Sequence, residues 1–440
     1  MKKFIIDSIQ AHVPKRFLLT YQKKLESYRK ELASIIKSKS YEMLESSVYL
    51  PFDLNLIEDV SQLVKQKKHA DLKYIILIGI GGANLGVKAI IEAFHGSCSF
   101  FKQKQIQFFF LDTINPQWCL SLIKFLQNKR SSEFLIIFTS SSGQTTEVVV
   151  NFESLSHALS KHFKNLFHRI IIITKKESPL FKKAQTNNIA CLTIPSIIGD
   201  RFGIFSTIGI LPLALAGFDV KNFQKGAQQA ALNGIQNSIE ENPPLLSAIL
   251  TYFYYKQGIS IHNTFLFDSN MESLGKWYRQ LMAESLGKKQ DLDKKNVRTG
   301  ITPLVSMGTV DLHSMVQIYL AGPKDKFTNF VYLEKTQQDI KLPKKLPLPQ
   351  LIEDLEGKTH EQIIKIILFS TMLAYKKQRL PFISIGLPDM SLESLGYYMQ
   401  FRMLEIMYLA KLLNINAFDQ PNVEDYKKEV RRMLKEGVIG

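Results

Sequence analysis

The run Tyr74-Ile75-Ile76-Leu77-Ile78-Gly79-Ile80-Gly81-Gly82-Ala83-Asn84-Leu85-Gly86 decides how the rest of the chain is read. A short stretch of β-branched and aliphatic residues ends on a cluster of glycines, and a helix-length segment follows. Such a unit belongs in a parallel sheet, with the glycine loop at the carboxyl end of the strand. Working outward, similar short runs recur at Ile106–Leu111, Phe134–Thr139, Ile170–Thr174 and Ile189–Ile194, most of them separated by helix-length segments. Strands alternating with helices give the α/β class, a parallel sheet covered on both faces.

The rhythm returns after a helical stretch, Asn222–Lys256. Ile259–Phe267, Phe330–Leu333 and Phe382–Ile385 read as strands, Ser269–Leu286 and His360–Lys377 as helices. Two long helical patterns, Leu392–Leu413 and Val423–Glu436, close the chain, and residues 1–65 read as an N-terminal helical segment. Two doubly wound α/β units are therefore expected, spanning 66–225 and 226–440. Without a Pro/Gly/Ser-rich linker between them, they should share an extensive interface.

A chain of 440 residues with 45% apolar and 22% charged residues is globular and large enough for more than one domain. The odd trio Cys98, Cys119 and Cys191 forms no CxxC pair, which argues against a disulfide framework or a zinc cluster and fits a reducing, cytoplasmic setting. The opening Met1-Lys2-Lys3 has no apolar stretch behind it to make a signal peptide. The segment Phe202–Phe218 is too short and too rich in glycine to span a membrane, and reads as a buried helix in a soluble protein. A net charge of +16 comes from scattered lysines without a groove-binding motif. It favours solvated lysine faces over nucleic acid, and a positive field would help gather an anionic substrate.

Two loops suit a phosphate. The glycine loop, with Gly82 and Ala83 at its tip, lets backbone N–H groups approach an anion at a helix N-terminus. A dinucleotide fingerprint would need glycine at position 84, where Asn84 sits, although Asp112 could imitate a ribose-binding acid. The other loop, Ser140-Ser141-Ser142-Gly143-Gln144-Thr145-Thr146, places five hydroxyls at a strand-to-helix turn. Capping the helix needs only one or two of them, so the surplus points to phosphate oxygens.

Both loops resemble those of the sugar-isomerase domain. Ala417-Phe418-Asp419-Gln420-Pro421-Asn422-Val423-Glu424-Asp425-Tyr426-Lys427 resembles the signature that closes members of the glucose-6-phosphate isomerase family. Gly199-Asp200-Arg201-Phe202 with Phe205–Gly209 is similar to the family's other signature. Trp277–Leu281 with Glu284-Ser285-Leu286-Gly287-Lys288, and Asp311-Leu312-His313-Ser314, follow in family order, so the likeness covers roughly residues 75–430. It implies two doubly wound parallel-sheet sugar-isomerase domains packed together, with N-terminal and C-terminal helices.

The resemblance also implies a reaction, the interconversion of glucose 6-phosphate and fructose 6-phosphate through ring opening and a cis-enediol intermediate. Isomerisation of another aldose phosphate, such as mannose 6-phosphate, or sugar-phosphate binding without turnover are the alternatives. By resemblance Glu284 is the base that carries a proton between C2 and C1, Arg201 the cation beside the enediolate, and His313 the ring-opening group, assisted by Lys427. Gly82, Ala83, Ser140, Ser141, Ser142, Thr145 and Gln420 would contact the substrate. The implied partner is a sugar phosphate, with neither nucleic acid nor membrane, and no cofactor or metal is called for. In relatives the histidine crosses from the neighbouring subunit, which implies a homodimer with His313 donated across the interface.

Two near-duplicates compete with these assignments. Glu272-Ser273-Leu274-Gly275-Lys276 imitates the Glu284–Lys288 motif, and Lys428 stands beside Lys427. The chain also departs from the family pattern. Ala83 replaces a serine, Ser141 a lysine, Asp200 the glycine before Arg201, and Gly203 a serine. Asp200 is expected to pair with Arg201 and blunt its field.

Overall fold

The computed structural model describes residues 4–96, 105–349 and 351–437. Two sheets organise it. The first contains β2 (Tyr74–Ile78), β3 (Gln107–Leu111), β4 (Phe134–Thr139), β5 (Ile170–Lys175) and β6 (Ala190–Ile194), in the order β3-β2-β4-β5-β6. All of its pairings are parallel. β4 is buried along its whole length and β5 along all but its last residue. Continuous apolar runs of this kind are what a strand covered on both faces requires.

The second sheet runs β1-β12-β11-β7-β10, from β1 (Ile5–Asp7), β7 (Ile261–Leu266), β10 (Thr302–Met307), β11 (Lys326–Leu333) and β12 (Phe382–Leu387). A small hairpin, β8 (Lys288–Gln290) with β9 (Asn296–Thr299), stands apart. Both sheets carry helices on each face, so the architecture is the expected pair of doubly wound units.

Several boundaries differ from the sequence reading for identifiable reasons. β1 escaped notice because it is three residues long and finds its partner, antiparallel, in β12 at the far end of the chain. β10 carries Pro303, which argues against a central strand, and β10 is the edge of its sheet. The helical stretch after residue 220 is two helices, Val220–Asn233 and Pro243–Lys256, the second capped by Asn242, whose side chain accepts from the Leu245 N–H. The segment read as a buried helix is one, at Thr207–Ala216, and no described helix is long and apolar enough to cross a membrane. Cys119 and Cys191 are free thiols, while Cys98 lies outside the described residues.

The helix Val220–Asn233, which contains residue 225, packs along the long helix Leu392–Leu412 at Gly226 and Gly396. A Cβ at Gly226 would lie 1.9 Å from the Glu393 carbonyl oxygen, and one at Gly396 would lie 2.0 Å from that of Phe223. Only glycine allows the two backbones to approach so closely. Next to this contact, buried Arg402 donates to Glu405 at 2.8 Å, and Tyr278 donates to the same carboxylate at 2.8 Å. Tyr278 belongs to the helix Glu272–Leu286, so this charge-assisted network fixes the helix that carries Glu284.

Candidate functional site

In the first sheet β3 lies on one side of β2 and β4 on the other. The chain reverses its direction of winding between β2 and β4, and the loops after those two strands part there to leave a crevice at their carboxyl ends. The loops are the glycine loop and the hydroxyl-rich turn. The topology thus sets both phosphate candidates side by side.

The glycine loop rests directly on the turn Asp200–Phe202. A Cβ at Gly82 would lie 2.3 Å from the Arg201 nitrogen and 2.4 Å from the Asp200 carbonyl carbon, so no side chain fits at position 82. Ala83 is buried and Asn84 fully so. Asp112 pairs with Lys88 at 3.8 Å and accepts from Asn84 at 3.5 Å.

In the hydroxyl-rich turn, Ser140 Oγ accepts from the Gly143 N–H at 3.0 Å and lies 3.4 Å from Thr145 Oγ1. Ser142 Oγ accepts from the Gln144 N–H at 3.2 Å. These bonds hold the turn in shape. Thr145 is the N-cap residue of the helix Thr146–Ser160, and no side chain caps that helix. Its first N–H groups and positive dipole end therefore face the crevice, the arrangement that binds an anion.

Glu284 lies on the last turn of the helix Glu272–Leu286. Its Oε1 accepts from Gln280 Nε2 at 2.9 Å, and its Oε2 stands 3.5 Å from Arg201 Nη1. Gln280 was not singled out from sequence, yet its spacing from Glu284 puts both on one helix face. Its amide also lies against Gly81, where a Cβ would come 2.5 Å from Nε2. The near-duplicate Glu272 begins the same helix and pairs with Lys276 at 2.7 Å, away from Arg201.

Arg201, only 5% exposed, is the hub. Nε donates to Ser285 Oγ at 3.0 Å, and Nη2 to the carbonyls of Ala417 at 2.6 Å and Asp419 at 3.0 Å. Nη1 donates to Gln420 Oε1 and reaches Glu284. Burial draws its pKa down from the ordinary arginine value, opposed by Glu284, Asp419 and Asp200. Lys288, a second residue not assigned from sequence, donates to the Glu284 carbonyl at 2.7 Å and to that of Asp419 at 2.9 Å. Burial, with Arg201 nearby, lowers it to about 8. Both cations anchor the segment 417–420 to the base helix, and that is how Gln420 arrives in the site.

One expectation is corrected. Asp200 turns away from Arg201, and its carboxylate accepts from Ser141 Oγ instead. Arg201 already has every donor engaged by Ser285, Gln420, Glu284 and the 417–420 carbonyls, so Asp200 acts on it only at longer range.

The other two residues stand elsewhere. His313 is exposed, at the C-terminal end of the turn Val310–Leu312 in the second unit. That turn is held by Asp311, which accepts from the Met307 N–H at 2.7 Å and from Ser314 Oγ at 2.6 Å. Lys427 is on the helix Val423–Glu436 and pairs with Glu424 at 2.8 Å. Within one chain, then, Glu284, Arg201, Gln420 and the two loops converge, while His313 and Lys427 do not make contact with them.

A family model for phosphoglucose isomerase matches residues 55–438. A glucose-6-phosphate isomerase of Thermus thermophilus is 30% identical over 387 residues, 87% of this chain and 89% of that protein. One of Campylobacter jejuni is 29% identical over 414 residues, 93% of this chain and 96% of that protein. Among solved structures, a hypothetical protein of Thermus thermophilus superposes with a TM-score of 0.86 at 27% identity, covering 98% of this chain and 100% of that one. A glucose-6-phosphate isomerase of Chlamydia trachomatis gives a TM-score of 0.82 over 99% of this chain and 89% of that one. At 20% identity the latter speaks for the fold alone.

Proposed function

The chain belongs to the phosphoglucose isomerase family, and from that premise we propose how its residues divide the work of interconverting glucose 6-phosphate and fructose 6-phosphate. The reaction itself is that of a sugar-phosphate isomerase, as expected from family membership and from relatives matched along almost their whole length.

The observation that carries the assignment of roles is the convergence of Glu284 and Arg201 beside the two anion loops. The phosphate lies at the N-terminus of the helix Thr146–Ser160, held by the backbone of the hydroxyl-rich turn and the hydroxyls of Ser142 and Thr145. The sugar then extends across the crevice toward Glu284. The Glu284 carboxylate removes the C2 proton of the opened glucose chain and returns it to C1, while the hydroxyl proton on O2 passes to O1 through the enediol, leaving a ketose, and the reverse order regenerates the aldose. Between the two transfers the negative charge sits on the enediolate oxygens. The Nη1 edge of Arg201, which faces Glu284 across 3.5 Å, meets that charge by turning from the carboxylate to the enediolate, while Nε and Nη2 stay committed to the protein. Gln280 keeps the carboxylate aimed by holding its second oxygen.

The test of the reaction is a coupled assay: purified protein with fructose 6-phosphate, glucose 6-phosphate dehydrogenase and NADP⁺. NADPH should accumulate with fructose 6-phosphate and stay at the blank rate if the chain only binds sugar phosphates. Mannose 6-phosphate, offered separately with fructose 6-phosphate formation as the readout, should turn over far more slowly.

Ring opening falls to His313, supplied by a second copy of the chain in a homodimer that works in the cytoplasm. Two observations support this. His313 is exposed and stands apart from Glu284 in its own chain. Around it, Val310 (70% exposed) on the preceding turn, Ile318 on the helix Val316–Ala321, and Ile366, Phe369 and Leu373 on the helix His360–Lys377 form an uncovered apolar surface. Both helices pack their inner sides on one aromatic cluster containing Phe265 and Phe330. Exposed apolar side chains gathered on these elements suit a protein interface.

Mixing subunits checks the donation. In a two-fold dimer, a hybrid of a Glu284→Gln subunit and a His313→Ala subunit contains one site with both native residues if the histidine crosses, and none if it does not. Activity should therefore return when the two inactive proteins are unfolded and refolded together. No recovery in a mixture shown to contain hybrids would place His313 in its own subunit's site, or outside catalysis.

A further inference from the structure

A carboxylate stands inside the phosphate cradle. Asp200, half-buried, is packed beneath the glycine loop, where Gly82 touches its backbone, and its side chain reaches across to accept a hydrogen bond from Ser141 of the hydroxyl-rich turn. It therefore joins the two loops that would surround the phosphate. An anion in that place opposes a dianionic ligand, because like charges brought together in a desolvated site repel strongly. The carboxylate is the group that can relieve this, by taking up a proton.

We propose that Asp200 couples sugar-phosphate binding to uptake of one proton, so that the site binds its ligand together with a neutral Asp200 and weakens as pH rises. The proposal rests on the placement of the phosphate at the hydroxyl-rich turn given above, and it makes Asp200 a determinant of affinity and not a catalytic residue. Once protonated, its O–H can donate, either back to Ser141 Oγ or to a phosphate oxygen, while Ser141 is released to do the same. The proton comes from solvent and returns there when product leaves, so no bond of the sugar is involved.

The groups facing Asp200 set where this happens. Burial raises its pKa, and Glu284 on the base helix acts in the same direction. The Ser141 hydrogen bond, Lys175 at the end of β5 and the neighbouring Arg201 act against it. Lys175 is itself tethered, donating to the Ser196 carbonyl at 2.6 Å, and Arg201 is committed as described. In the free enzyme these opposing influences leave the carboxyl raised but titratable, and the arriving phosphate raises it further. The sign follows. Between the free and the bound pKa of Asp200, the dissociation constant rises up to tenfold per pH unit; below the free pKa it is flat.

The experiment uses the whole enzyme and glucitol 6-phosphate, the reduced open-chain sugar, which cannot isomerise. Calorimetry at pH 7.5 in two buffers of different ionisation enthalpy counts protons directly in the wild type, with no variant needed. A net uptake of up to one proton per site should be measured. In Asp200→Asn, which keeps an acceptor for Ser141, that uptake should vanish. The ratio of wild-type to Asp200→Asn dissociation constants cancels the titration of the phosphate itself. It should be smallest at the acid end of the range and climb by at least about tenfold as pH rises.

No proton uptake by the wild type, or a ratio that stays flat with pH, would overturn the role of Asp200. A second variant separates that failure from a misplaced phosphate. Ser142→Ala with Thr145→Val should weaken glucitol 6-phosphate binding at every pH. If it does not, the phosphate lies elsewhere and the inference falls with it.

Discussion

Glu284→Gln should lower kcat by about 10²–10⁴-fold while leaving KM for fructose 6-phosphate within a few-fold of the wild type, the loss expected when a positioned general base is removed. At 1.36 kcal/mol per decade, this is about 3–5 kcal/mol of the barrier. Glutamine has the shape of the carboxylate it replaces. Its oxygen can still accept from Gln280 or from Arg201, so the cradle and the ligand's binding mode persist. What it lacks is a basic oxygen to receive the hydrogen from C2. The loss should therefore appear in kcat and kcat/KM alike, the mark of a group used only in the transition state. Exchange of the C2 hydrogen with solvent, followed by NMR in D₂O, should fall in parallel. A variant within tenfold of the wild type in both measurements would remove Glu284 from the proton transfer.

Arg201→Lys is expected to cost about 10²–10³-fold in kcat, the range seen when a preorganised donor to a developing oxyanion is lost. The positive charge is kept, so the argument rests on geometry. Arginine serves five acceptors at once through a planar fork: Ser285, Ala417, Asp419, Gln420 and Glu284. A lysine ammonium has three donors on a flexible stem and cannot satisfy buried carbonyls and face the substrate together. The segment 417–420 would then keep only the Lys288 hydrogen bond of the two cations' bonds to it, and Gln420 would lose its anchor. Thermal unfolding of the variant provides the comparison. A drop in melting temperature with kcat preserved and only KM raised would make Arg201 a brace for the C-terminal segment. A fall in kcat at unchanged KM would place it against the enediolate.

The two expectations interlock. Glu284 and Arg201 lie 3.5 Å apart, so each is the other's nearest opposite charge in the crevice. Removing the carboxylate's charge leaves a less compensated guanidinium, which should tighten anion binding slightly in Glu284→Gln. Residues in contact share their effects, and the double variant should cost less than the sum of the two single ones.

Much of the fold was readable along the chain because its signals are local. The apolar runs of β4 and β5, the glycines after β2 and the hydroxyls after β4 each report a backbone need met within a few residues. The motifs around Arg201, Glu284 and Gln420 were also visible as runs of sequence. Elements that draw their stability from afar were not. β1 gains its hydrogen bonds from β12, and β10 is a strand only because β7 offers an edge that tolerates Pro303.

The site divides along the same line. Residue type and spacing alone pointed to two loops fit for an anion, while the helix carboxylate and the arginine in a tight turn were picked out by the likeness of their motifs to the family. Tertiary structure decided what each of them faces. It turned Asp200 to Ser141, gave Lys288 the task of holding the segment 417–420, set Gln280 behind Glu284, and left His313 exposed and away from them. Hydrogen bonds and charge act across a few ångströms of space whatever the separation in sequence, and those distances exist only after the sheets and helices have packed.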